Sequence, residues 1–131
     1  MNELLKKSGY SDKAIEYYKK KLNVGSIENP SVSSSYTGHC GDTMKIYLKI
    51  DSEIITEAKF EAIGCAGAFS AGSALMEMIK NKTLSFAKVI TEGDIIEHLG
   101  GVPLTKTDCV CLARRTLEKT IQLFLDNNSL G

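Results

Sequence analysis

From Met44 the chain alternates strictly, with Met44, Ile46, Leu48 and Ile50 on one face and Lys45, Tyr47, Lys49 and Asp51 on the other. A period of two predicts a half-buried β-strand. The polar turn Asp51-Ser52-Glu53 leads into a second such run, Ala58, Phe60 and Ala62 against Lys59 and Glu61, so the two strands pair as an antiparallel hairpin. Upstream, Ser11-Asp12 reads as an N-cap, and Ala14, Ile15, Tyr18 and Leu22 recur at helical spacing, which predicts a short amphipathic helix over 11–22. Lys19, Lys20 and Lys21 crowd its end, where positive charge suits the helix dipole; a solvated terminus is favoured over a partner-binding patch. Residues 23–37, rich in Ser, Asn and Gly, predict a loop that turns into an edge strand near Val32 to Tyr36.

Past Cys65 the period becomes helical. Phe69, Ala71, Ala74, Leu75, Met78 and Ile79 form an apolar stripe whose one weak point is Gly72. Two shorter helices follow, near Leu84 to Ile90 and near Asp94 to Leu99, the second closed by Gly100-Gly101. Pro103 marks a connecting loop. A last helix runs from about Cys111 to Leu125, with Leu112, Ala113, Leu117, Ile121, Phe124 and Leu125 toward the core. A chain of 131 residues makes a single domain, 1–131, in which residues 1 to about 28 are an N-terminal helix and loop with room to move.

Composition removes several function classes. Lysine plus arginine balance aspartate plus glutamate at 16 each and no basic face dominates, so no nucleic-acid footprint is expected. No apolar run approaches the roughly 18 residues that span a bilayer, and the start, Met1-Asn2-Glu3-Leu4-Leu5-Lys6-Lys7, lacks the apolar centre of a signal peptide. No membrane association is expected, and the chain reads as cytoplasmic. In a reducing compartment its 4 cysteines point to ligand or redox roles rather than a disulfide framework.

Three of those cysteines sit in separate small-residue loops: Gly38-His39-Cys40-Gly41-Asp42, Gly64-Cys65-Ala66-Gly67-Ala68, and Asp108-Cys109-Val110-Cys111. A cysteine used only as a core hydrophobe sits among large apolar neighbours, whereas these lie beside glycine and aspartate, the surroundings of a metal or sulfur site. None has the two-residue spacing of a zinc ribbon or a thioredoxin-type motif, so a shared site must be assembled by the fold. The hairpin brings the ends bearing Cys40 and Cys65 together. Cys109 falls at a loop-to-helix junction, where unsatisfied N–H groups and the dipole favour a thiolate.

Cys40-Gly41-Asp42-Thr43-Met44 opening a strand, Gly64-Cys65-Ala66 leading into an Ala/Ser-rich helix, Ile79-Lys80-Asn81-Lys82-Thr83-Leu84, and Lys106-Thr107-Asp108-Cys109 before Leu112-Ala113 closely resemble the IscU-type iron–sulfur cluster scaffold, equivalent to the N-terminal domain of NifU. Tyr10-Ser11-Asp12-Lys13 and Asn23-Val24-Gly25-Ser26 resemble that family's opening, and the match covers nearly the whole chain in order. The resemblance implies an α+β fold, a small three-stranded antiparallel sheet covered by helices in an IscU-like α/β sandwich. It implies Cys40, Cys65 and Cys109 as thiolate ligands and Asp42 as the carboxylate that helps hold iron and keeps the cluster labile. Thiolates suit iron–sulfur clusters while a carboxylate is a harder, weaker partner. The implied route has a cysteine desulfurase deliver persulfide sulfur, with Cys109 the candidate acceptor; iron joins it, a [2Fe–2S] cluster forms, and the cluster passes to acceptor proteins. Such a chain is a scaffold and carrier, not an enzyme, and zinc readily fills its vacant thiolates.

Two positions depart from the family. Asp108 stands where a histidine usually precedes the third cysteine, and reads either as an oxygen ligand or as the N-cap of the last helix. Cys111 stands where the family usually has no cysteine; it is either a small residue of the helix start or a fourth thiolate. His39 and His98 fall outside the expected ligand set. Val102-Pro103-Leu104-Thr105-Lys106 keeps one proline and the lysine of the family's Leu-Pro-Pro-Val-Lys chaperone motif and loses the rest, which argues against a dedicated DnaK-type chaperone. The oligomeric state stays open, a homodimer included.

Two other functions compete. A SufU-like zinc protein that relays persulfide fits the same three cysteines and aspartate, but that group carries an extra segment for which the interval from Cys65 to Cys109 leaves no room. A thiol redox enzyme would rest on Cys109-Val110-Cys111, whose spacing is unlike the usual motif.

Overall fold

The structure is a computed structural model that describes residues 9–38, 41–101 and 107–129. Its sheet stands where the alternation predicts it. Strand β1 (Val32–Thr37) pairs antiparallel with β2 (Thr43–Asp51), which pairs antiparallel with β3 (Ile54–Ile63), in the order β1-β2-β3. Across the β2–β3 hairpin Thr43 faces Ile63 and Asp51 faces Ile54, with a register shift between Lys49 and Ile50. Ser52 and Glu53 at its tip have φ of 51° and 68°, the twist that a two-residue hairpin turn needs. Met44, Ile46, Leu48 and Phe60 are completely buried, and Lys45, Lys59 and Glu61 are exposed. Tyr47, expected on the solvent face, is nevertheless buried there: its hydroxyl donates to Glu61 and the Lys45 ammonium lies 5.0 Å from the ring centroid.

Helix α1 (Asp12–Lys20) starts at the predicted cap, with Ser11 Oγ accepting the Ala14 N–H at 3.0 Å and donating to the Leu99 carbonyl. It ends sooner than the spacing suggested. Lys21 is left-handed, so Leu22 leaves the helical period and is exposed, while Tyr17 takes the buried place instead. The chain then runs beside the outer edge of β3, where the Gly25 N–H donates to the Phe60 carbonyl at 2.8 Å and the Phe60 N–H to the Asn23 carbonyl at 3.0 Å. That edge is thereby closed to further pairing at its centre.

Helix α2 (Ala66–Ile79) follows β3, then α3 (Leu84–Lys88), α4 (Glu92–Leu99) and α5 (Thr107–Ser129). Gly100 closes α4 in the left-handed conformation, as expected. α2 is buried on nearly every side rather than along a stripe, because β3, α1, α4 and α5 all pack against it. Small residues permit this. A Cβ on Gly72 would stand 2.5 Å from Cε2 of the Phe60 ring, so the apparent weak point is where the sheet's largest buried side chain meets the helix.

α5 begins about a turn earlier than expected, because the apolar period that marks it starts at Leu112 while its first turn is polar. Asp108 therefore lies inside that first turn, where a carboxylate suits the dipole, and not at the N-cap position. Leu112, Ala113, Leu117 and Ile121 seat the helix on β1, β2 and α2, and the buried hydroxyls of Thr116 and Thr120 donate to carbonyls one turn back at 2.7 Å. Among the described residues no helix is long and apolar enough to cross a membrane.

Candidate metal centre

Three elements end at one place. Asp42 immediately precedes β2, Cys65 lies between β3 and α2, and Cys109 is in the first turn of α5. The Thr43–Ile63 pairing sets Asp42 opposite Gly64. The side-chain carboxyl lies directly over that glycine, since a Cβ there would be 2.9 Å from both Cγ and Oδ2 of Asp42. Gly64 is thus the space into which the carboxylate fits.

The sulfurs of Cys65 and Cys109 are 3.5 Å apart, Asp42 Oδ2 is 4.0 Å from the Cys65 sulfur, and one ligand atom from each of the three lies within 4.8 Å of the others. Metal–sulfur bonds of about 2.3 Å at a tetrahedral angle separate two sulfurs by about 3.8 Å, and a metal–oxygen bond of about 2.1 Å puts sulfur and oxygen about 3.6 Å apart. The Cys65–Cys109 and Asp42–Cys65 spacings lie within a few tenths of an ångström of those values, and the remaining one, at most 4.8 Å, asks a shift of no more than about 1 Å to close the set on one metal. Cys109 is buried and Asp42 and Cys65 are half-buried, which leaves one side open for exchange.

Electrostatics favours an anionic ligand set here. Cys65 occupies the N-cap of α2 and Cys109 the first turn of α5, so two positive helix ends meet at the sulfur pair. Tyr10, buried, reaches the same spot: its hydroxyl oxygen and the Cys109 sulfur stand 3.0 and 3.1 Å from where a Cβ on Gly67 would be, and burial, followed by the negative charge of Cys65 and Cys109, pushes its pKa well up.

Of the residues singled out in the sequence, the structure gathers Asp42, Cys65 and Cys109; Cys40 and His39 lie outside the described residues, as does the 102–106 chaperone-motif position. Asp108 is exposed and does not belong to the three-residue group. Nor does Cys111, whose sulfur accepts from Arg115 Nε at 3.2 Å. His98 bonds Tyr17 Oη at 3.0 Å and Glu77 at 3.3 Å. Tyr10 is the residue that the sequence reading missed. Its one available signal was position: an aromatic side chain with a polar tip, just before a helix cap.

Residues 9–129 match the family model of the NifU-like N terminal domain. The chain belongs to this family. Among NifU-like N-terminal domain relatives, an iron–sulfur cluster assembly scaffold protein IscU of Archaeoglobus fulgidus is 38% identical over 120 residues, covering 91% of this chain and 78% of that one. The iron–sulfur cluster assembly scaffold protein IscU of Escherichia coli K12 is 38% identical over 117 residues, covering 86% and 91%. The fold of a nitrogen-fixing NifU-like protein (N-terminal) from Brucella abortus superposes with a TM-score of 0.73 at 16% identity, over 93% of this chain and 98% of that one. A protein described as an iron–sulfur cluster assembly scaffold for the SUF system of Fervidobacterium islandicum gives 0.69 at 25% identity, over 86% and 96%. The α+β architecture expected from the resemblance is therefore that of the NifU-like N-terminal domain family.

Proposed function

We propose that this chain is a scaffold on which an iron–sulfur cluster is assembled and from which it is released. The observation that carries the reading is the pair of sulfurs 3.5 Å apart with a carboxylate beside them, in a NifU-like N-terminal domain whose relatives are named as scaffolds. Residues 1–131 form one domain. Cys65, Cys109 and Cys40, two residues from Asp42 along the chain, are the thiolates, and Asp42 is the oxygen ligand. The cargo is a [2Fe–2S] cluster. The mixture is a deliberate compromise in affinity: thiolates hold iron strongly, whereas the harder carboxylate is a weaker partner for a cluster and eases its departure.

Sulfur arrives from a cysteine desulfurase as a persulfide on Cys109. Two electrons from an external reductant cleave each S–S bond to give the Cys109 thiolate and one sulfide. The two helix ends stabilise the negative charge that accumulates, and the half-open side lets iron enter and the finished cluster pass to acceptor proteins. The chain itself turns over no substrate.

Anaerobic reconstitution with iron, a desulfurase and cysteine, followed by absorption spectra and metal analysis, tests this reading. Cluster absorption that is lost in Cys65→Ser and Cys109→Ser is expected. A second reading, zinc-dependent persulfide relay, draws on the likeness to the SUF-system protein and on a ligand set that also suits tetrahedral zinc. A protein that holds one zinc tightly and never develops cluster absorption would decide for it.

A further inference from the structure

Cys65 holds the N-cap position of α2, yet its side chain makes no capping hydrogen bond. A residue there ordinarily turns its side chain back onto the first-turn N–H groups, which are otherwise left without partners. Here the sulfur points instead toward Cys109 and Asp42. The hydroxyl of Tyr10 lies against Gly67, whose N–H is one of those first-turn donors, and against the sulfur pair of Cys65 and Cys109. Packing leaves the phenol little choice: Tyr10 is 7% exposed, and its oxygen and the Cys109 sulfur stand 3.0 and 3.1 Å from the point where a Gly67 Cβ would be. Only a glycine at 67 lets hydroxyl, sulfur and helix end come so close.

We infer that Tyr10 is a positioning residue for the metal centre: its hydroxyl takes over the capping of α2 through the Gly67 N–H and donates to the Cys65 sulfur, holding that sulfur toward its co-ligands. The inference rests on Cys65 being a ligand. A hydrogen bond to a ligating thiolate stabilises the sulfur lone pairs, fixes their direction, and raises the energy of sulfur-to-metal charge transfer. Loss of such a supporting partner commonly weakens metal binding by about 10- to 100-fold.

The test is Co(II) binding to the metal-free protein, followed by its thiolate-to-cobalt absorption bands, in wild type, Tyr10→Phe, Tyr17→Phe and Cys65→Ser. Tyr10→Phe keeps the ring in the core and removes only the hydroxyl. Tyr17→Phe removes another buried hydroxyl, one that faces His98 and not the centre. Tyr10→Phe is expected to move the bands to lower energy and to weaken Co(II) binding about tenfold or more, with Tyr17→Phe unchanged. Bands and affinity unchanged in Tyr10→Phe, or moved equally by Tyr17→Phe, would overturn the role of Tyr10 while leaving the ligands standing. Wild type without thiolate bands, or Cys65→Ser that retains them in full, would overturn the ligand assignment and this inference with it.

Discussion

The same substitution should act with opposite sign at two helical glycines. Alanine in place of glycine inside a helix is worth up to about 1 kcal/mol from propensity alone. At Gly93 in α4 the position is exposed and the nearest atom to an added Cβ is Thr91 Oγ1 at 3.6 Å, an ordinary contact. Near the helix start the gain is smaller, about 0.5 kcal/mol. At Gly72 the Cβ would stand 2.5, 2.7 and 2.8 Å from Cε2, Cδ2 and Cζ of Phe60. That ring is completely buried and backed by Phe69, with centroids 6.2 Å apart, so it has no free direction in which to yield. Overpacking of this kind costs about 1–3 kcal/mol, and with three ring atoms overlapped the upper end applies. Net of propensity, Gly72→Ala should destabilise by about 1–2 kcal/mol. For a domain of this size 1 kcal/mol moves Tm by roughly 4 °C. Thermal unfolding followed by circular dichroism should give a fall of about 4–8 °C for Gly72→Ala and a rise of about 2 °C for Gly93→Ala. A Gly72→Ala protein as stable as wild type would refute the packing argument.

Gly64→Ala should displace the Asp42 carboxylate, weakening Co(II) binding measured by titration while changing thermal stability by less than about 1 kcal/mol, because Asp42 is half-buried and can swing outward. Asp108→Ala should cost about 0.3–1 kcal/mol through the α5 dipole, measured by urea unfolding, with reconstituted cluster absorption unchanged; a lost cluster would make Asp108 a ligand after all. Cys111→Ser should leave cluster spectra unaltered, whereas Cys65→Ser and Cys109→Ser should abolish them. The phenol of Tyr10 stays protonated in the fold to higher pH than in the unfolded chain, so stability should fall as pH rises past about 10. Urea unfolding at several alkaline pH values should show a shallower fall for Tyr10→Phe.

The sequence by itself determined the period-two strands at Met44–Ile50 and Ala58–Ala62, the Ser11 cap and the glycine end of α4, since each depends on residues a few positions apart. Small neighbours also marked the thiols as presented in loops, which holds for Cys65 between β3 and α2, whereas Cys109 is buried within the first turn of α5. The sequence was less exact where two elements share one boundary: α5 starts at Thr107 because dipole and polar first turn outweigh the missing apolar period, and α1 stops at Lys20 because Lys21 turns left-handed. Only the tertiary structure decided the rest. That Gly72 yields to Phe60, that Gly64 makes room for Asp42, that Cys111 turns to Arg115 while Cys109 turns to Cys65, and that Tyr10 reaches the sulfurs all follow from strand register and helix placement. Apart from Cys111 and Arg115, which are one helical turn apart, those contacts join residues a dozen or more positions apart, and no periodicity along the chain encodes which of them meet.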